Sequence, residues 1–354
     1  MFAFVIGAFV GLVSGLAFGG PPGAATPKAA AQSEDGSSDL SSESSLGSGS
    51  SEPMTAEQAK AIGANEMGQV LVVMYHLIDS EEADWTRTPE HFREDIALLK
   101  SEGYYPINAR DLASGNIDIP AGRSPVLITF DDSSPGQYRI LDDGSVDPDS
   151  AVGILQAAVE QGDWASRASF FPLLDVVPKE RELFGQPERQ QEKLRNLVEW
   201  GYEVGSHSVT HLTLSEASTE EATKQLAESQ ATLEDLIGGG YEVTTLSIPF
   251  GEYPEDESLI ASGEYDGTSY EYTAGLALGT TPSASPFSTA FRALHIPRVR
   301  GSDPYLGEAI QYLKENPELR YVSDGDPTTV SAPAELPAKL GKLRDDLGRP
   351  VVRY

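Results

Sequence analysis

Residues 126–132 read Val-Leu-Ile-Thr-Phe-Asp-Asp, a continuous apolar run that ends in two adjacent carboxylates. A run without polar alternation suits a strand covered on both faces, as in a parallel sheet. Residues 70–76, VLVVMYH, repeat the arrangement with His76 at the end, and residues 168–171 repeat it less purely. Helical patterns lie between these runs. Thr88-Pro89-Glu90 supplies an N-cap, a first-turn proline and an early acid, followed by Phe92, Ile96 and Leu99 on one face and Gly103 as the stop. The stretch 188–200 groups Leu194, Leu197 and Val198, and the stretch 216–237 groups Leu226, Leu233 and Ile237 before three glycines. Extended segments follow at 104–107, 202–204 and 241–248. Strand and helix alternating over residues 70–323 predict an α/β fold of parallel βα units, and ~250 residues is the usual length of a (β/α) barrel.

The whole chain has 354 residues and no cysteine, which excludes disulfide scaffolds, thiolate metal sites and thiol nucleophiles. Any metal must be held by histidine and carboxylate. Lys and Arg number 25 against 55 Asp and Glu, a formal net charge of −30 that opposes binding to nucleic acid or anionic membrane surfaces.

Residues 2–18, FAFVIGAFVGLVSGLAF, are uncharged and apolar, so residues 1–20 are expected to be a signal peptide or membrane anchor. No Lys or Arg precedes this run, and Ala17-Phe18-Gly19 is a candidate cleavage step. Residues 21–69, rich in Ser, Gly and Pro, are expected to be a disordered linker. Together they predict a domain tethered outside the cytoplasm. Residues 324–354, with four prolines, read as a C-terminal extension.

Functional side chains of a parallel barrel lie at the carboxyl ends of its strands. His76, Asp131-Asp132 and the His207-Ser-Val-Thr-His211 segment all follow strand patterns, and they include three of the five histidines in the chain. Two imidazoles four residues apart converge if the turn between them is helical, and one neighbouring carboxylate completes a His-His-Asp set with open positions for water. Adjacent carboxylates at the edge of a low-dielectric core repel each other unless a cation or proton separates them. A surface pair of histidines and a solvated acidic turn remain the plain alternatives.

Thr129-Phe130-Asp131-Asp132, Phe170-Phe171, His207-Ser-Val-Thr-His211 and Pro249-Phe250-Gly251 resemble the successive motifs of the NodB-homology polysaccharide deacetylases, carbohydrate esterase family 4. Met74-Tyr75-His76 and Ile296-Pro297-Arg298-Val299 resemble the branch that includes poly-N-acetylglucosamine deacetylases. The resemblance implies a distorted (β/α)7 barrel and hydrolysis of acetyl groups on N-acetylglucosamine-containing glycans. It implies one divalent metal, zinc by preference over cobalt, nickel or manganese, held by Asp132, His207 and His211. It also implies that Asp131 is the general base and that the Phe250 backbone N–H donates to the oxyanion.

Three positions depart from the family pattern: Ser133 replaces a glycine, Ser247 replaces an arginine that pairs with the base, and no histidine follows His295. Arg298 is the candidate replacement for the missing arginine. Proton delivery to the leaving amine then falls to His76 or His295, and His76 is preferred because its strand is the clearest in the chain. Two rival functions stay open: a catalytically impaired barrel that binds glycan, and a deacylase of small amides. The sequence leaves the glycan and the oligomeric state open.

Overall fold

The computed structural model describes residues 54–354, so the expected export segment and most of the expected linker lie outside the described residues. Eight strands make up the principal sheet: β1 (Leu71–Tyr75), β2 (Tyr104–Ile107), β3 (Ser124–Asp131), β4 (Ser169–Phe171), β5 (Glu203–Val204), β6 (Thr245–Ser247), β7 (Ala274–Leu278) and β8 (Ile296–Arg300). All pairings in this sheet are parallel, in the order β5-β4-β3-β1-β8-β7-β6. The ends of that row meet at one bridge, where Ser206 N–H donates to Thr245 O (2.9 Å) and Ser247 N–H donates to Ser206 O (2.9 Å). Seven strands therefore close a distorted ring through a narrow seam between β5 and β6. β2 stays outside the ring, paired with the first half of β3.

Side-chain alternation decides what the ring encloses. Val72, Leu127, Phe171, Leu276 and Ile296 share one buried cluster in the lumen, while Leu71, Val73, Val126, Ile128 and Phe130 pack outward with the helices. Two residues along from Leu127 come Thr129 and then Asp131, on the lumen face. Two residues along from Ile296 comes Arg298, on the same face of its own strand. The apolar layer thus forms a floor beneath a polar layer, and each fully buried aliphatic in that floor contributes about 1.5–3 kcal/mol.

The helices follow the expected periodicity, with two late starts. α1 (Pro89–Ser101) is capped by Thr88, whose side chain accepts from the His91 N–H. α2 (Ala151–Glu160) and α3 (Gln190–Glu199) follow, α3 beginning after a 3-10 turn at Pro187–Arg189. α4 (Thr219–Ile237) begins at a Ser218–Glu221 capping box rather than at residue 216, and α5 (Tyr305–Glu315) covers β8. Among the described residues, no helix is long and apolar enough to cross a membrane.

The expected linker boundary at residue 69 is corrected. Thr55 caps a short helix over Ala56–Ile62, and Ala59, Ala64 and Met67 are fully buried. Here the periodic alanines find a surface to pack on, which the polar composition of the preceding stretch had obscured. The C-terminal residues are equally integral: Val330–Ala332 pairs with Val351–Arg353, and Tyr354 Oη donates to Ala64 O (2.9 Å).

Glu66 joins these two ends. Its carboxylate accepts from Ser331 N–H (2.8 Å) and from Tyr321 Oη (3.3 Å), close to buried Asp324. Burial, reinforced by the charge of Asp324, pushes its pKa up to about 8. A raised folded-state pKa contributes stability that is complete below the unfolded value and lost as pH rises through the folded one. Thermal stability is expected to fall between roughly pH 4.5 and pH 8 from this group, and Glu66→Gln to flatten that slope. An unchanged slope in melting curves of the variant would show that Glu66 ionises freely.

Candidate active site

Asp131 and Arg298 meet in the lumen because both lie on the inward face, one at the end of β3 and one in the middle of β8. Arg298 grips the carboxylate with both terminal nitrogens, Nη1 to Oδ1 and Nη2 to Oδ2, each at 2.8 Å. Ser247 Oγ donates to Asp131 Oδ2 (2.9 Å) and accepts from Arg298 Nη2 (3.0 Å). Thr129 Oγ1 and Ala277 O take the remaining guanidinium donors. Burial alone would push the Asp131 carboxyl up; Arg298, His207 and His76 outweigh it and hold the pKa down to about 2. The acid therefore stays ionised in a nearly dry position, oriented by a bidentate pair.

Asp132 turns away from its neighbour because the backbone reverses there. Asp132 and Ser133 have φ of 72° and 48°, and Ser208, His211 and Phe250 also sit in the left-handed region at 64°, 58° and 58°. Non-glycine residues held there cost of order 1–3 kcal/mol each, and such strain gathers where side chains must be aimed. It replaces the helical turn expected between His207 and His211, yet the two imidazoles still converge. Asp132 Oδ1 lies 3.4 Å from His207 Nε2 and 3.6 Å from His211 Nε2.

These three residues present one ligand atom each within 4.8 Å of one another, a set that could hold a metal ion. Their hydrogen bonding fits such an ion. His207 Nδ1–H donates to Ser247 O (2.8 Å), which turns the Nε2 lone pair toward the cluster. Asp132 Oδ1 and His207 Nε2 are buried without any hydrogen-bond partner. Burial and the neighbouring His207 hold the His211 pKa down to about 4, so that imidazole is neutral and free to ligate. The cluster opens on a cavity of about 360 Å³ that also reaches His76, Trp85, Phe250 and Leu278.

Residues 118–263 match the family described as polysaccharide deacetylase. Over these residues the chain is similar to a polysaccharide deacetylase domain. YxkH of Bacillus subtilis (strain 168), described as a polysaccharide deacetylase, is 24% identical over 243 residues, 67% of this chain and 73% of that protein. Two solved structures share the fold. The deacetylase PplD of Streptococcus pyogenes, in complex with acetate, is 19% identical with a TM-score of 0.50, covering 70% of this chain and 97% of that one. A polysaccharide deacetylase from Bacillus cereus is 19% identical with a TM-score of 0.51, covering 68% and 69%. The family acts as a hydrolase on acetylated glycans.

The fold brings most of the expected site residues together. His76 lies on the cavity wall with Nε2 at 4.0 Å from Asp131 Oδ2, its ring against Trp85 at 4.6 Å. Burial lowers its pKa, against the pull of Asp131 and Asp132. Phe250 borders the same cavity, its ring edge-on to His211 at 4.2 Å. His295 does not join them. It precedes β8, at the opposite end of the strand from the functional rim, where it contacts Glu257 (2.9 Å) and stacks on Tyr253 (4.2 Å). The candidacy of His295 fails on that placement: Ile-Pro-Arg after it is the strand itself, not the approach to the rim.

Two contributors to the site carried no signal in the sequence. Arg181 ion-pairs with Asp132 Oδ2 from a 3-10 turn at Lys179–Arg181, 49 residues from its partner by the numbering. Trp85 enters from the loop after β1, with Arg300 over its ring at 4.0 Å. Lone arginines and tryptophans in loops have no periodicity to betray them.

Proposed function

We propose that this chain is an exported, divalent-metal-dependent polysaccharide N-deacetylase acting on N-acetylglucosamine-containing glycans. The observation that carries the reading is the division of labour between adjacent acids. Asp131 is neutralised by Arg298 and faces the lumen, while Asp132 leaves an unpartnered oxygen toward two imidazoles. Asp132, His207 and His211 would hold the ion, for which zinc suits the mixed nitrogen and oxygen donors. When bound, such an ion supplies Lewis-acid polarisation of the acetyl carbonyl and acidifies water. Asp131 takes the proton of the attacking water, and the Phe250 N–H donates to the oxygen on which charge develops. His76, on the cavity wall beside Asp131, delivers a proton to the leaving amine.

The arginine absent at position 247 is supplied from β8, which weakens the case for an impaired glycan-binding barrel. Phe250, Leu278 and Trp85 stay 52%, 45% and 40% exposed around the cavity mouth, an apolar rim suited to the faces of sugar rings rather than to a small amide. Acetate release from chitin oligomers, poly-N-acetylglucosamine, peptidoglycan and acetylated xylan, with and without chelator, tests the function. Release that ignores the chelator, or that occurs only from small amides, sinks this reading. In the same assay His76→Ala is expected to remove the upper limb of the pH–rate profile, and His295→Ala to leave it in place. Export is checked by whether protease added to intact cells removes a tag placed after Tyr354.

A further inference from the structure

Ser133 occupies a strained position that would suit glycine, with φ of 48°. Its hydroxyl donates to the carbonyl of Arg181 and accepts from Leu173 N–H (3.0 Å), and the residue is fully buried. The same Arg181 sends its guanidinium back to Asp132 Oδ2, the residue immediately before Ser133. A closed circuit results: side chain to backbone in one direction, side chain to side chain in the other. The segment bearing Arg181 is itself fastened. Lys193 Nζ, fully buried, donates to Phe184 O (2.7 Å) and Gly185 O (3.3 Å). The Gln186 side chain accepts from Ile140 N–H (3.0 Å) and donates to Ile140 O (2.7 Å).

We infer that Ser133 and Arg181 form a clamp that positions Asp132 for metal binding. Arg181 takes one carboxylate oxygen, and Ser133 holds the backbone from which Arg181 reaches. The inference rests on the metal-dependent reading above. With Oδ2 engaged, Asp132 turns Oδ1 alone toward His207 and His211, and the carboxylate loses the freedom to rotate out of the cluster. A guanidinium near a dication also repels it, so orientation and charge act in opposite directions. The carboxylate lies between the two, and the Arg181 side chain is partly open to solvent, which screens the repulsion. Orientation wins on this account, as it does for other groups that hydrogen-bond metal ligands, whose loss typically weakens affinity about 10–100-fold.

The test uses the full chain stripped of metal and titrated with Zn²⁺ against a chromophoric chelator. Arg181→Ala is expected to raise the zinc dissociation constant about 10–100-fold. Arg181→Gln, which keeps a donor without the charge, should recover most of the affinity. Ser133→Gly relieves the left-handed strain but cuts the tether, so it should bind zinc more weakly while the metal-free protein melts no lower. The Ser133→Gly/Arg181→Ala double variant should bind no more weakly than Arg181→Ala, because both act through one circuit. Zinc affinity in Arg181→Ala equal to or tighter than wild type overturns the clamp, as do additive losses. Wild-type protein that binds no zinc, or His211→Ala that binds like wild type, instead defeats the metal site on which the clamp rests.

Discussion

Asp131→Asn is expected to lower the rate of acetate release by about 10²–10⁴ while leaving zinc fully bound, the range that general acid–base catalysis commonly supplies. The substitution is nearly isosteric and its amide oxygen can still accept from Arg298, but it leaves that buried guanidinium uncompensated, so the rate is compared with the variant folded and loaded with zinc. The lost capacity is the one that matters: a neutral amide cannot take the proton of water. Asp132, which aims Oδ1 at both imidazoles, is untouched. Turnover within tenfold of wild type would remove Asp131 from the chemistry. Zinc lost in parallel with rate would make it a ligand.

The second large effect is on stability. Arg298 and Asp131 are each only 1% exposed, and neither has water to turn to if its partner is lost. Arg298→Met should therefore destabilise the fold by about 3–5 kcal/mol, the usual result of leaving one buried charge uncompensated. Arg298→Lys should rescue little, since an ammonium cannot reproduce the two parallel bonds to the carboxylate or the contacts to Ser247 and Thr129. Removing both charges in Asp131→Leu/Arg298→Met should restore much of the loss, because the pair's attraction mainly offsets its own desolvation. Urea unfolding reads all three. A single variant as stable as wild type would mean that water reaches the carboxylate and that the site is less dry than its burial indicates.

Much of this arrangement is legible in the chain because it obeys simple periods. The runs at 70–75 and 126–130 are apolar at every step but Thr129, so they announce strands covered on both faces, and the residues that follow them fall on the rim. Alternation also makes the Asp131–Arg298 encounter intelligible once β1 is seen between their strands, although register cannot be read from either segment alone. The weak passages have physical causes. Strands β4 to β6 are only two or three residues long, too short for a pattern, and the expected strand over 241–248 shrinks to Thr245–Ser247. The His207–His211 turn converges through left-handed residues rather than a helical turn, a choice that no hydropathy pattern records. His295 misled because proximity to a strand was visible and its direction was not.

The seam of the ring has a further consequence for reading mutants. β5 and β6 are joined there by a single bridge, and the imidazole of His207 crosses the same gap to Ser247 O. His207 is thus a rivet of the wall as well as a candidate ligand. Deleting its ring loosens the cylinder beside the floor of the cavity, and amide exchange at Ser206 and Ser247 should quicken before any chemistry is assayed. A dead His207 variant consequently confounds two losses. His211, which the wall does not use for closure, gives the cleaner genetic dissection of metal from architecture.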